Sequence, residues 1–199
     1  MEDCRANTLG AIQVGLDLWR GSVLSSLLAG CEVWCDISPK TMKKLEHTNS
    51  LFLANLFGVS KRGCPEVSLY TESSTLLIPN QILMSQLLFL HHIATLPITS
   101  LARETYEEMK KHNFPGLVKN LEMYLRDWKL EEVESFSKWS WKKEVKKRIT
   151  EKNWSDLIKW SERYKKVDTE QVKLKGKNQS IYMKMNLHDS RILFRKSCH

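Results

Sequence analysis

Apolar side chains recur at intervals of three and four residues along most of this sequence, which is the spacing of one face of an α-helix. The clearest case lies between Pro39 and Gly58, where the repeating positions are Met42, Leu45, Asn49, Phe52, Leu53 and Leu56. Ser38 followed by Pro39 is typical of a helix N-terminus, and Gly58 is a common residue at a helix end. The pattern therefore predicts a helix that runs from Pro39 to just before Gly58.

Other segments carry the same periodicity. It predicts helices over residues 16–29, from Pro79 to before Pro97, from Thr99 or Ser100 to about His112, over 117–128, over 131–149, from Asn153 onward and over 181–194. Residues 60–74 are predicted to be a connector with one short helical turn at most, and residues 168–180 a polar linker. Only 8 Gly and 5 Pro among 199 residues argue against a turn-rich all-β fold. The sequence thus predicts an all-α protein, an irregular bundle of about six to eight helices in two parts.

Positive charge is concentrated in the second half of the chain, which has a formal net charge of +8 overall. Residues 1–100 contain 7 Lys or Arg and 8 Asp or Glu, whereas residues 101–199 contain 24 and 15. Five of the seven Trp also fall between residues 128 and 160. We therefore predict an apolar helical module over residues 1–128 and a basic, Trp-rich helical segment over residues 129–199 that would face a polyanion.

Several classes of protein are disfavoured by composition. The most apolar stretch, residues 76–97, is interrupted by polar residues, so no membrane span is predicted, and the N-terminus lacks the pattern of a secretion signal. Five cysteines, an odd number, favour reduced thiols in an intracellular protein, nuclear or cytoplasmic. Cys31 and Cys35 would share one face of a helix, but no second Cys/His pair completes a zinc site. We expect cysteines that pack in the core, no metal and no cofactor.

The local motifs of common enzyme classes are also missing. The sequence contains no GxGxxG or GxxxxGK loop, no GxSxG turn and no HExxH helix. Its seven aspartates are scattered, although two-metal phosphoryl transfer needs carboxylates that converge on ions about 4 Å apart. His91 and His92 would lie roughly 100° apart on a helix, so both cannot face one site, and a hydrogen-bonded core histidine is the expectation. We predict that this chain is not an enzyme.

One stretch combines basic and indole side chains. In residues 138–148 (KWSWKKEVKKR) six of eleven residues are basic, one is acidic and two are Trp. Lys and Arg displace counterions from phosphates, and indole rings stack on unpaired bases. The predicted nucleic-acid-binding residues are therefore Lys138, Trp139, Trp141, Lys142, Lys143, Lys146, Lys147 and Arg148. Two other interpretations stay open: a solvated lysine face whose Trp and Val145 side chains pack inward, or a membrane-surface helix, which the serines of this region disfavour.

A series of short motifs resembles a known family. The segment SVLSSLLAGCEVW at residues 22–34 is similar to the helix and YGCExW-like tract that follow the polymerase palm in reverse transcriptases of non-LTR (LINE-type) retrotransposons, with Ala29 in the place of the aromatic residue. Later motifs resemble the same reading frames in the same order: NSLFL at 49–53, LYTE at 69–72, QLLFLHHI at 86–93, FPGL at 114–117 and MNLHDSR at 185–191. The resemblance covers most of the chain.

This resemblance implies the thumb and connector part of such a polymerase without its catalytic centre, because the paired aspartates of the palm's [FY]xDD loop have no counterpart here. Thumb helices hold template–primer duplex through its backbone, and phosphate contacts carry little sequence information. The resulting hypothesis is a non-catalytic reverse transcriptase fragment that at most binds RNA or RNA–DNA duplex nonspecifically, with no membrane partner. Two alternatives stay open: a helical scaffold that docks proteins or self-associates through its apolar first half, and a genomic remnant without selected function.

Overall fold

The computed structural model describes residues 11–60 and 64–162. Within these ranges the chain is built from helices and contains no strand. The α-helices are α1 (Ala11–Leu18), α2 (Ser25–Leu27), α3 (Pro39–Phe57), α4 (Glu66–Ser73), α5 (Ile78–Ala94), α6 (Leu101–Lys111), α7 (Leu117–Trp128) and α8 (Lys138–Ser161). The predicted all-α fold class is confirmed.

The first helical segment is continuous but changes its winding. Residues Trp19–Leu24 form a π-helical stretch that joins α1 directly to α2. Gly21 lies inside this stretch and does not interrupt it. The segment ends at Gly30, whose φ of 74° is a left-handed conformation that glycine adopts without a Cβ penalty. A short 3-10 turn, Cys31–Val33, follows.

Helix starts marked by a capping serine lie where the sequence predicts them. The Ser38 side chain accepts a hydrogen bond from the Thr41 backbone N–H (3.1 Å) at the start of α3, and Gly58 turns left-handed (φ 63°) after its end. Ser100 accepts a hydrogen bond from the Arg103 N–H (3.3 Å) at the start of α6. These side chains satisfy N–H groups that have no partner within the helix. The predictions for α3, α5, α6 and α7 are confirmed.

The predicted connector over residues 60–74 is wrong in part, because α4 occupies Glu66–Ser73 and is largely buried. Thr71, Glu72 and Ser73 are polar, which made this segment look like a loop, yet each is at most 3% exposed. The Thr71 hydroxyl donates to the Val67 carbonyl one turn earlier (2.8 Å), and Ser73 donates to Tyr70 (3.3 Å). Hydroxyls that bond to the helix backbone in this way can enter a core.

The two helices predicted over 131–149 and from Asn153 onward are one helix, α8, preceded by a separate 3-10 turn at Val133–Ser135. Asn153 does not start a new helix. Its side chain is 4% exposed and accepts a hydrogen bond from the Leu77 backbone N–H (2.9 Å), so the helix runs through it. The linker predicted at 168–180 and the helix predicted at 181–194 lie outside the described residues.

The chain separates into two compact units that interleave along the sequence. Of the described residues, the first unit contains 11–29, 42–60, 64–78 and 153–162, and the second contains 30–41 and 79–152. This grouping differs from the division after residue 128 that composition and charge predict. That division concerns separate functional modules and stays a prediction.

The first unit has an apolar core with a buried polar chain beside it. Fully buried side chains from all four of these ranges form one cluster, among them Ile12, Leu16, Leu53, Phe57, Val67, Leu69 and Leu157. Next to them, Trp19 donates through Nε1 to Asn49 (2.9 Å), and Asn49 donates to the Tyr70 hydroxyl (3.1 Å). The Tyr70 hydroxyl in turn donates to Glu46. Buried polar groups of this kind need partners, and these have them.

Burial sets the protonation preference of that polar chain. Glu46 also accepts a hydrogen bond from the Ile78 backbone N–H (3.0 Å). Desolvation raises the pKa of the Glu46 carboxyl above its ordinary value, against the opposing effect of these hydrogen bonds. Desolvation, together with the neighbouring Glu46 carboxylate, also raises the pKa of Tyr70. The tyrosine therefore stays a neutral donor to the carboxyl.

Polar contacts tie the irregular segments of the second unit to its helices. Gln86 on α5 donates to the Trp34 carbonyl (2.6 Å), and Asn120 on α7 donates to the Cys35 carbonyl (3.0 Å). Arg103, 9% exposed, bridges Glu107 on its own helix and Glu134 in the 3-10 turn, the latter at 2.8 Å. These contacts fix segments that lack regular backbone pairing.

The cysteine prediction is partly correct. Cys31 and Cys64 are buried free thiols, as expected of packing cysteines. Cys35 is exposed, because the chain leaves the 3-10 turn at Trp34 and the two positions share no helix face. Cys4 and Cys198 lie outside the described residues. Among the residues the structure describes, no three His, Cys, Asp or Glu side chains gather into a possible metal site.

A membrane-spanning helix must be both long and apolar. In the described part of the chain no single helix meets both requirements. Only Glu66–Ser73 and Ile78–Ala94 taken together reach them, and these two are bent by 48° at their junction.

Candidate nucleic-acid interface

The predicted basic, Trp-rich residues lie on the first half of α8, which starts at a serine cap. Ser137 accepts a hydrogen bond from the Ser140 backbone N–H (3.2 Å), and the two hydroxyls also contact each other (2.9 Å). The helix begins at Lys138 and not at the predicted residue 131, directly after a serine that serves as its cap. The cap fixes which side chains of the following turns face the protein and which face water.

Every fourth residue of this part of α8 faces the protein. Trp141, Val145 and Ile149 are each at most 1% exposed. The Trp141 indole N–H donates to the Leu87 carbonyl (2.9 Å), and its ring stacks on His91 with 5.4 Å between centroids. The prediction that Trp141 contacts nucleic acid is therefore wrong, because its ring is enclosed by the core and has no face available to a base.

The opposite side of α8 carries a stripe of exposed side chains. We call it the lysine stripe, and it consists of Trp139, Lys142, Lys143, Lys146, Lys147 and Thr150, all exposed. Their spacings from the first member are 3, 4, 7, 8 and 11 residues, which is the sequence of positions on one helix face. At 1.5 Å per residue, the stretch from Trp139 to Lys147 is about 12 Å long. The sequence prediction of one cationic face from the four lysines is consistent with this exposure.

Trp139 stands at the N-terminal end of the lysine stripe and is 72% exposed. The Lys143 ammonium nitrogen lies 5.1 Å from the centroid of its ring. This distance is within the range of a cation–π contact, which at an exposed site contributes about 0.5–1 kcal/mol. The indole and one lysine of the stripe are thus already held next to each other.

The acidic residues near the stripe are occupied elsewhere. Glu144 accepts a hydrogen bond from Arg148 (2.9 Å), and Glu151 lies 3.7 Å from the same guanidinium. Arg148 is half-buried between these two carboxylates, so its charge is balanced locally. Within the described residues, none of the four stripe lysines forms an ion pair. Lys138 is exposed at the first residue of the helix, outside the stripe.

His91 is a core residue, as predicted. It is 5% exposed, and its Nε2 is 2.9 Å from the Phe136 carbonyl, to which an N–H at this position donates. Together with the Trp141 ring, it forms a packed aromatic layer under α8. His92, its neighbour, is exposed. The two rings do not meet in one site.

The structure also contains a groove that the sequence did not suggest. Helices α5, α6 and α7 of the second unit enclose an open apolar cavity of about 340 Å³. It is lined by side chains that include Leu90, Ile93, Leu101, Tyr106, Met109 and Val118. Leu101 is 77% exposed at the first residue of α6, and the nearby Ile98 is 80% exposed. The sequence signal for this groove was an apolar residue, Leu101, at the start of a helix. Apolar residues at helix starts are too common for this one to predict a groove by itself.

No protein-family model, no curated protein and no solved structure matches this chain.

Proposed function

We propose that this chain is a non-catalytic, thumb-like piece of a non-LTR retrotransposon reverse transcriptase that binds the sugar–phosphate backbone of RNA or RNA–DNA duplex through the lysine stripe. One observation carries the proposal. Four exposed lysines share a helix face about 8 Å long with no carboxylate among them and no ion pair to a described residue. Lysines that were only solubilising a helix would commonly be interleaved with acidic partners on the same face.

The physical basis of binding is the release of counterions. A phosphate backbone carries condensed cations, and each lysine that contacts a phosphate displaces them. The contact is independent of base identity, so the stripe holds a strand or a duplex without selecting its sequence. This is the behaviour expected of a polymerase thumb, which must let the template move.

The resemblance of the sequence motifs supports the same assignment. The motif at residues 22–34 falls in the first helical segment of the structure and in the 3-10 turn after it. The motifs at 49–53, 69–72 and 86–93 fall in α3, α4 and α5. Each of these motifs therefore supplies helical structure, as the thumb and connector of a polymerase require. The basic helix α8 comes later in the chain and supplies the positive surface.

The experiment is a filter-binding titration of the full chain against a structured RNA at two salt concentrations. If each stripe lysine contacts one phosphate, log affinity falls with log salt at a slope of about −3.6, so a rise from about 50 to 200 mM weakens binding roughly 150-fold. Neutralising the stripe should remove this slope. That variant carries four Lys→Gln substitutions, at Lys142, Lys143, Lys146 and Lys147.

A matched control keeps the change in net charge the same. Lys110, Lys111, Lys119 and Lys129 are exposed lysines of the same unit that lie off the stripe. Changing these four to Gln should leave the RNA affinity and its salt slope close to those of the wild type. If the two quadruple variants lose affinity equally, binding reflects overall charge and the site assignment fails.

The groove between α5, α6 and α7 favours a second candidate function, a helical scaffold for proteins. An apolar groove lined in part by the exposed Leu101 offers a surface of the kind that protein partners bury. Sedimentation velocity distinguishes the candidates. Oligomers that persist at high salt and take up no RNA would favour the scaffold, whereas a monomer that sediments with RNA favours the backbone-binding function.

A further inference from the structure

We propose that Trp139 stacks on one unpaired base, so that the lysine stripe takes single-stranded segments in preference to closed duplex. This inference rests on the proposed function and adds the strand type to it. Its starting observation is exposure. Trp139 is 72% exposed, whereas the other Trp residues of the described part are buried or half-buried. An indole is highly buried on average in proteins, and an exposed one at the end of a cationic stripe offers an aromatic surface to a ligand.

The surroundings of the ring suit a flat ligand. The Lys143 ammonium stands over the indole at 5.1 Å from the centroid, and no described aromatic side chain stacks on the ring. With 72% of the residue exposed, the ring is accessible to a planar group from solvent. A nucleobase is planar and belongs to a chain of phosphates, so it matches an aromatic surface that is followed by lysines.

The order along the helix is also suitable. The indole comes first, and Lys142, Lys143, Lys146 and Lys147 follow within about 12 Å toward the C-terminus of α8. A base on Trp139 would place the adjoining phosphates along these lysines. This combination of a stacking ring and a cationic track is how proteins bind single strands without sequence preference.

Duplex cannot use the ring in the same way. Inside a helix both faces of each base are covered by neighbouring bases, and only splayed or unpaired bases present a face to a side chain. The lysines serve both kinds of nucleic acid, because both have phosphates. The difference in affinity between single strand and duplex therefore depends on Trp139, while the affinity that both share depends on the lysines.

The test compares two ligands of equal length, an oligouridylate of about 20 nucleotides and an RNA duplex of about 20 base pairs, on the full chain. Trp139→Ala should weaken oligouridylate binding about 5- to 150-fold, the range measured for loss of one stacked base, and change duplex binding less than about twofold. Trp139→Phe retains an aromatic face and should recover most of the loss. Met123→Ala, which truncates a 58% exposed side chain on α7 of the same unit, is the matched control.

The possible results separate this inference from the proposed function. If Trp139→Ala weakens both ligands equally or neither, while the four Lys→Gln changes remove binding, the stacking inference is overturned and the proposed function stands. If the four Lys→Gln changes leave both ligands bound as before, both fail. Vesicles of phosphatidylserine and phosphatidylcholine are the third ligand. If Trp139→Ala weakens binding to the vesicles and not to either nucleic acid, the ring is assigned to a lipid surface and the inference is overturned.

Discussion

Two tryptophans that are two residues apart on α8 should lose very different amounts of stability when each is replaced with alanine. Trp141 is 1% exposed and donates a hydrogen bond to the Leu87 carbonyl, whereas Trp139 is 72% exposed and its ring lies beside the Lys143 ammonium. Replacing each in turn with alanine removes the same atoms from a core and from a surface. The comparison isolates the effect of burial, since both sites are in the same helix.

The expected magnitudes follow from these environments. Removal of a buried indole costs about 3–5 kcal/mol, because the apolar surface is lost and a cavity remains. Trp141→Ala should therefore lower the free energy of unfolding by about 4 kcal/mol, which for a chain of this size lowers Tm by about 8–16 °C. Trp139→Ala should cost at most about 1 kcal/mol, since only the cation–π contact with Lys143 is lost.

A third variant resolves the contribution of the hydrogen bond. Trp141→Phe keeps one aromatic ring beside His91 and Phe136 but cannot donate to the Leu87 carbonyl. Its cost should lie between those of the other two, at about 1–3 kcal/mol. Urea unfolding followed by far-UV circular dichroism measures all three without depending on Trp fluorescence. Equal losses for Trp139→Ala and Trp141→Ala, or a loss below about 1 kcal/mol for Trp141→Ala, would refute the assignment of the two faces.

Two further predictions concern the first unit and the helix caps. As pH rises above about 4, the stability of Glu46→Gln should increase relative to that of the wild type. The raised pKa of Glu46 means that the folded state favours the protonated carboxyl. The stabilisation that the wild type gains from this proton is complete at low pH and is lost as pH rises through the folded-state pKa. Urea midpoints that shift in parallel with pH for both proteins would contradict the prediction. Ser100→Ala should lower the free energy of unfolding by about 1 kcal/mol, because the Arg103 N–H loses its acceptor. Thr99→Ala, one residue earlier, should have little effect on the free energy of unfolding in urea, and equal losses for the two variants would contradict the assignment of Ser100 as the cap.

Helices with clear end signals were predictable from the sequence alone. A serine before α3 and before α6 satisfies the free N–H groups, and Gly58 supplies a left-handed turn after α3, so the ends depend on local chemistry. The exposed lysines of α8 were also predictable from local information, because helical spacing alone puts them on one face. The resulting all-α class needed no knowledge of tertiary contacts.

Features that depend on distant residues were not predictable in this way. The segment that became α4 looks polar, and its burial depends on hydroxyl bonds to its own backbone and on packing with the rest of the first unit. Asn153 resembles a helix-starting residue in sequence, and its actual role depends on a hydrogen bond from the Leu77 N–H, 76 residues away. Trp139 and Trp141 are the same residue type, and each lies between a lysine and Ser140. They differ in that Trp141 is followed at intervals of four residues by the apolar Val145 and Ile149, with which it shares the buried face of α8. That spacing is visible in the sequence, so the burial of Trp141 was predictable.

The interleaving of the two units has a consequence for how the chain is made on the ribosome. All pieces of the second unit are synthesised by residue 152, whereas the first unit still lacks Leu157, a fully buried member of its core. At translation rates of about 5–20 residues per second, the nascent helices before residue 78 wait roughly 4 to 15 s for that last piece. During this interval their unfinished apolar surface is open to chaperones or to neighbouring nascent chains. A message truncated shortly before codon 157 would therefore yield a product in which the later-starting unit is complete and the earlier one is not.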